Sequence, residues 1–111
     1  MSPAALHEGI FALEKREGEE LTIRIGTAEH PVFLAHFEGN PILPGFMQLD
    51  IVAALAERKI TGIVMAKFMR PVLPGDLLYC RVTEGEKATR ILIRDEEGKS
   101  VSDFKLHWQA L

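Results

Sequence analysis

A chain of 111 residues, 47% apolar and 26% charged, has the composition of one globular domain, residues 1–111, rather than of a disordered segment. Its formal net charge of −3 argues against nucleic acid as the main partner, because phosphate binding needs a basic surface. The single cysteine, Cys80, excludes an intramolecular disulfide and points to a reducing compartment.

No apolar run approaches the ~18 residues of a membrane span. The opening residues Met1 to Glu8 lack the basic stretch and apolar run of a signal peptide. A cytoplasmic protein with no membrane partner is the expectation.

Residues 10–16 and 21–26 read as a hairpin around Glu17-Gly18-Glu19, and Leu21, Ile23 and Ile25 alternate with Thr22 and Arg24 as in a half-buried strand. Pro31, Gly39 and Pro41 break residues 27–43 into irregular structure. Pro44 suits a first helical turn, and residues 46–59, free of Gly and Pro and rich in Leu and Ala, predict a largely buried helix.

After Gly62 the pattern turns to strands: 63–73, 77–83 after the turn Pro74-Gly75-Asp76, 88–94, and 101–111 after Asp95 to Gly98. In the last strand Phe104, Leu106, Trp108 and Ala110 share one face. Cys80, among Leu77, Leu78 and Val82, reads as a core residue rather than a nucleophile. One helix with one antiparallel sheet is an α+β fold. The helix is buried only if the sheet curls round it, and open sheet edges favour pairing across a two-fold, hence a dimer with a continuous sheet.

The segment with most chemistry runs from His36 through Phe37, Gly39, Pro41, Pro44 and Gly45 to Asp50. An imidazole and a carboxylate can act as an acid/base couple, and a glycine at a helix start offers an N–H to a developing oxyanion. Each residue also has an ordinary reading. His36 suits a surface loop, the glycines and prolines suit turns, and Asp50 with Ala53, Ala54 and Glu57 has the spacing of a solvated helix stripe. His7, His30 and His107 lack metal-ligand spacing, so no metal is expected. Met47, Met65 and Met69 suit core or tunnel lining. Lys67, Arg70, Arg81, Arg90 and Arg94 suit either an acidic carrier or a solvated sheet face.

Taken jointly, His36-Phe37-x-Gly39-x-Pro41-x-x-Pro44-Gly45 continuing to Asp50, with Lys67-Phe68-Met69-Arg70-Pro71-Val72-Leu73-Pro74-Gly75-Asp76, resembles the hotdog-fold 3-hydroxyacyl thioester dehydratases of the FabA/FabZ type. The likeness extends from about residue 10 onward. It implies a curled antiparallel sheet around a central helix, and a dimer whose sites take His36 from one subunit and Asp50 from the other. His36 would be the base and Asp50 the acid or water-positioning group. Gly45 would offer its N–H to the thioester carbonyl, and Phe37 and Phe46 would contact substrate.

The implied reaction is reversible dehydration of a 3-hydroxyacyl group on acyl carrier protein or coenzyme A, with no cofactor beyond the substrate's own phosphopantetheine. The Gln48-Leu49 pair and the short length resemble small members linked to aryl-polyene or other specialised acyl chemistry. Two departures stand out: Glu38 where the family usually has proline, and Ala54 where a glutamine commonly supports the acid. A hotdog acyl thioesterase is the runner-up, and a non-catalytic acyl-binding module or heterodimer half is the third reading.

Overall fold

The computed structural model describes residues 10–26, 43 and 45–111. Among these residues, six strands and one helix follow in the order β1 (Phe11–Glu17), β2 (Glu20–Ile25), α1 (Gly45–Ala56), β3 (Arg58–Phe68), β4 (Leu77–Glu84), β5 (Thr89–Arg94) and β6 (Ser100–Ala110). They form one antiparallel sheet in the spatial order β1-β2-β4-β5-β6-β3. The α+β expectation holds, with the curled sheet applied to a single helix.

Alternation decides which sheet face meets the helix. Leu21, Ile23 and Ile25 of β2, Leu78 and Cys80 of β4, Ile91 and Ile93 of β5, and Phe104 and Leu106 of β6 are all buried. They form one cluster with Leu49, Ile51 and Val52 of α1. Burial at roughly 25 cal/mol per Å² of apolar surface makes this cluster the main source of stability. Cys80 is part of it. Burial, with Glu20 nearby, pushes its thiol up to about 12, so it carries no thiolate near neutrality.

Two expectations need correction. The helix ends at Ala56 rather than Lys59, and β3 begins at Arg58 rather than after Gly62. Glu57 stands at φ 56°, the left-handed conformation that closes a helix, and Arg16 Nη2 donates to the Leu55 carbonyl at 2.8 Å. Propensity favours helix through residues 57–59, but pairing of Arg58 and Lys59 with Ala110 and Gln109 outweighs it. Gly62 therefore sits inside β3, between two register shifts, as glycine does at bulges.

Short turns set β4, β5 and β6 side by side, whereas β3 pairs with β6 and β4 pairs with β2. The segment between β3 and β4 crosses past β6 and β5 instead of folding back, and its Val72 bridges Leu43 on the way. That crossing brings the start of α1 against the end of β3.

Candidate active site

An open cleft of about 550 Å³ lies at this junction. Its walls include Gly45, Phe46, Gln48 and Leu49 from α1, Ile63, Ala66 and Phe68 from β3, and Met69 to Pro71 beyond it. The helix start faces it because α1 begins where the chain has just passed Leu43, itself anchored to Val72 by a backbone hydrogen bond of 2.8 Å. The first N–H groups of a helix have no partner within it and sit at the positive end of its dipole.

Glycine at position 45 is a packing requirement. A Cβ there would lie 2.6 Å from Phe68 Cε1. Phe68 in turn packs edge-on against Phe104, with ring centroids 5.5 Å apart. The close approach of ring and backbone leaves the Gly45 peptide at the cleft wall.

The expected site residues divide into three groups. Gly45 and Phe46 line the cleft, and Phe46 is 62% exposed. Asp50 lies on α1, exposed and outside the cleft wall, with no hydrogen bond or ion pair among the described residues. His36 and Phe37 lie outside the described residues. Gly45 and Asp50 are five residues apart, which on a helix is about 140° around the axis and about 7.5 Å along it.

Position 54, a half-buried alanine, gives Asp50 no support. A glutamine does stand on this helix, at position 48, but it is turned inward. Its Oε1 accepts a hydrogen bond of 2.6 Å from Ser102 Oγ, and both residues are buried. Sequence reasoning assigned neither residue a role. The signal was a polar residue on each of two surfaces otherwise patterned for the core.

Three of the five basic residues form ion pairs within the chain. Arg70 pairs with Asp76 at 2.9 Å and with Asp95 at 3.5 Å, and Arg81 pairs with Glu20 at 3.3 Å. Arg90 grips Asp103 with two hydrogen bonds, of 3.1 and 2.7 Å. Of the methionines, Met69 lines the cleft and Met47 packs against the core. No group of three or more potential metal ligands occurs among the described residues. No helix among them is long and apolar enough to cross a membrane.

The family model for ApeI-like proteins, described as ApeI dehydratase, matches residues 13–105, which include both motif segments and every wall of the cleft. The chain belongs to the ApeI-like dehydratase family. Among curated relatives, a 3-hydroxyacyl-[acyl-carrier-protein] dehydratase FabZ of Alkaliphilus metalliredigens is 39% identical over 87 residues, 67% of this chain and 58% of that protein. The FabZ of Thermus thermophilus is 31% identical over 111 residues, covering 81% of this chain and 78% of that one.

Among solved structures, the dehydratase heterocomplex ApeI:P from Xenorhabdus doucetiae superposes with a TM-score of 0.69 at 24% identity, over 87% of this chain and 93% of that one. The PaaI protein of E. coli superposes with a TM-score of 0.62 at 15% identity, over 96% of this chain and 84% of that one. These likenesses show a shared fold, the hotdog arrangement of one helix in a curled sheet.

Proposed function

We propose that this ApeI-like family member removes water, reversibly, from a 3-hydroxyacyl thioester carried on acyl carrier protein or coenzyme A. The observation that carries the reading is the family match, which spans the His36-to-Asp50 motif and the apolar cleft at the start of α1. Relatives named as 3-hydroxyacyl-[acyl-carrier-protein] dehydratases support it.

In this reading His36 takes the C2 proton of the substrate. Negative charge then grows on the thioester oxygen, where the Gly45 N–H at the helix start donates to it, and one such donor is worth roughly 3–4 kcal/mol. The C3–O bond breaks and the hydroxyl leaves as water, with the proton supplied by Asp50 or returned by His36 while Asp50 positions the leaving group. The product is the 2-enoyl thioester. Loss of water requires no redox group, and the phosphopantetheine arm arrives with the substrate.

A homodimer completes the site. β3 is an edge strand whose Ile63 and Val64 are 56% and 57% exposed, beside exposed Phe68 and Met69. An apolar edge strand of this kind suits pairing with a second copy, which extends the sheet and brings a second α1 alongside. Asp50 of that copy would then face His36 of the first. The buried, protonated Cys80 suits a reducing cytoplasm. A different reading, a non-catalytic binding module or heterodimer half, is favoured by Ala54 where a glutamine commonly supports the acid and by Glu38 where proline is usual.

Purified protein given an enoyl thioester of coenzyme A or acyl carrier protein should consume the enoyl absorbance without releasing free thiol. His36→Ala should slow this by about 10²–10⁴-fold. Wild type no faster than the variant would sink the dehydratase reading, and release of thiol would point to hydrolysis.

A further inference from the structure

Gln48 is 3% exposed and Ser102 is fully buried, in surroundings that are otherwise apolar. A buried carboxamide has an acceptor end and a donor end, and leaving either without a partner costs about 1–3 kcal/mol. The acceptor end is held by Ser102 Oγ at 2.6 Å. Among the described residues nothing bonds the Nε2 end. Gln48 is itself one of the residues that line the cleft, beside Gly45 and Phe46.

Two of the cavities walled by described residues border Gln48. One is the cleft of about 550 Å³. The other is a void of about 10 Å³ walled by Ile23, Leu43, Cys80 and further apolar side chains. That void is at the lower limit for one water and lacks the polar partners a buried water needs. Of these two, only the cleft has room for a hydrogen-bonding partner.

Gln48 lies three residues after Gly45, about 4.5 Å further along the helix and only about 60° round it. An acyl chain whose thioester oxygen sits at the Gly45 N–H and whose tail follows the cleft inward passes this carboxamide. We infer that the Gln48–Ser102 pair is a specificity-determining subsite for an acyl chain that carries a hydrogen-bond acceptor, a keto or hydroxyl oxygen, several bonds beyond the thioester. This rests on the cleft being the acyl site of the proposed function. Ser102 acts through Gln48, fixing the carboxamide so that its N–H groups face the chain. A plain alkyl chain leaves those N–H groups unpaired when it displaces water, and so binds less well.

The test is calorimetric binding, on the full chain, of saturated acyl thioesters of N-acetylcysteamine. A keto oxygen is walked along the chain, and each probe is compared with its methyl-branched analogue. Wild type should bind one keto position about tenfold more tightly than its analogue. Gln48→Met with Ser102→Ala removes both partners together, the change least costly to the fold, and should bring that ratio to about one. Ser102→Ala alone, which frees the carboxamide, should lower the ratio as well and serves if the double variant melts early.

Equal affinity at every position in wild type, discrimination retained in the folded variants, or no binding of any probe overturns the inference. The probes carry neither a 3-hydroxyl nor a double bond and cannot turn over. Their failure therefore leaves the dehydratase reading to its own assay. Keto-selective binding without enoyl hydration would remove that reading and keep this one.

Discussion

At position 45 the sequence motif and the packing demand the same residue for different reasons. The motif implies a glycine whose N–H meets the thioester, and the structure shows a backbone on which Phe68 lies too close for any Cβ. Gly45→Ala should cost about 1–3 kcal/mol through overpacking, seen as a lower melting temperature. Phe68→Leu should cost less in that background than in wild type, and strictly additive costs would contradict the clash. Gly45 was legible because a Pro-Gly pair before an apolar run marks a helix start. The clash was not legible, since Phe68 is 23 positions away and its approach depends on the crossing between β3 and β4. The inward bond of Gln48 was not legible, because its partner Ser102 lies on β6.

Among the elements, the strands of the second half were readable from alternation and turn residues, and β5 and β6 begin and end within a residue of expectation. The C-terminal end of α1 was not. Glu57 carries no glycine-like signal, and its left-handed conformation comes from β3 claiming Arg58 and Lys59. The β5–β6 pair carries a second, electrostatic consequence. The Arg90 guanidinium, through its hydrogen bonds and charge, holds the Asp103 carboxyl below the usual carboxylate range, against the opposing effect of burial. At Asp95 burial acts to raise the pKa, but the N–H groups of Lys99 and Glu97, together with Arg70, hold it below that range.

A carboxyl whose pKa is lower folded than unfolded stabilises the protein above the unfolded value of about 4, and that contribution is lost as pH falls through the folded value. The melting temperature should therefore hold from neutrality down to about pH 4 and decline below it. Asp103→Asn should make the acid decline shallower, as read by thermal melts across that range. An unchanged slope would remove Asp103 from the account.

For the whole molecule, the sheet has two open edges, β1 and β3, and they differ in character. β1 shows Glu14, Lys15 and Glu17 to solvent, the charged surface that keeps an edge from pairing, whereas β3 exposes Ile63 and Val64 beside the cleft. The proposed self-association therefore uses β3, and the account's central claim is the proposal that each site is completed by a second copy. The likeness to the FabA/FabZ type already implied as much through the His36-to-Asp50 motif.

Subunit mixing tests this most directly. His36→Ala and Asp50→Asn proteins, each expected to be inactive alone, are unfolded together, refolded and assayed for enoyl thioester hydration. Random pairing makes half the dimers mixed, each with one intact site of two, so about a quarter of wild-type activity should return. A mixture as inactive as its parents, with mixed dimers present, would contradict a site shared between two chains.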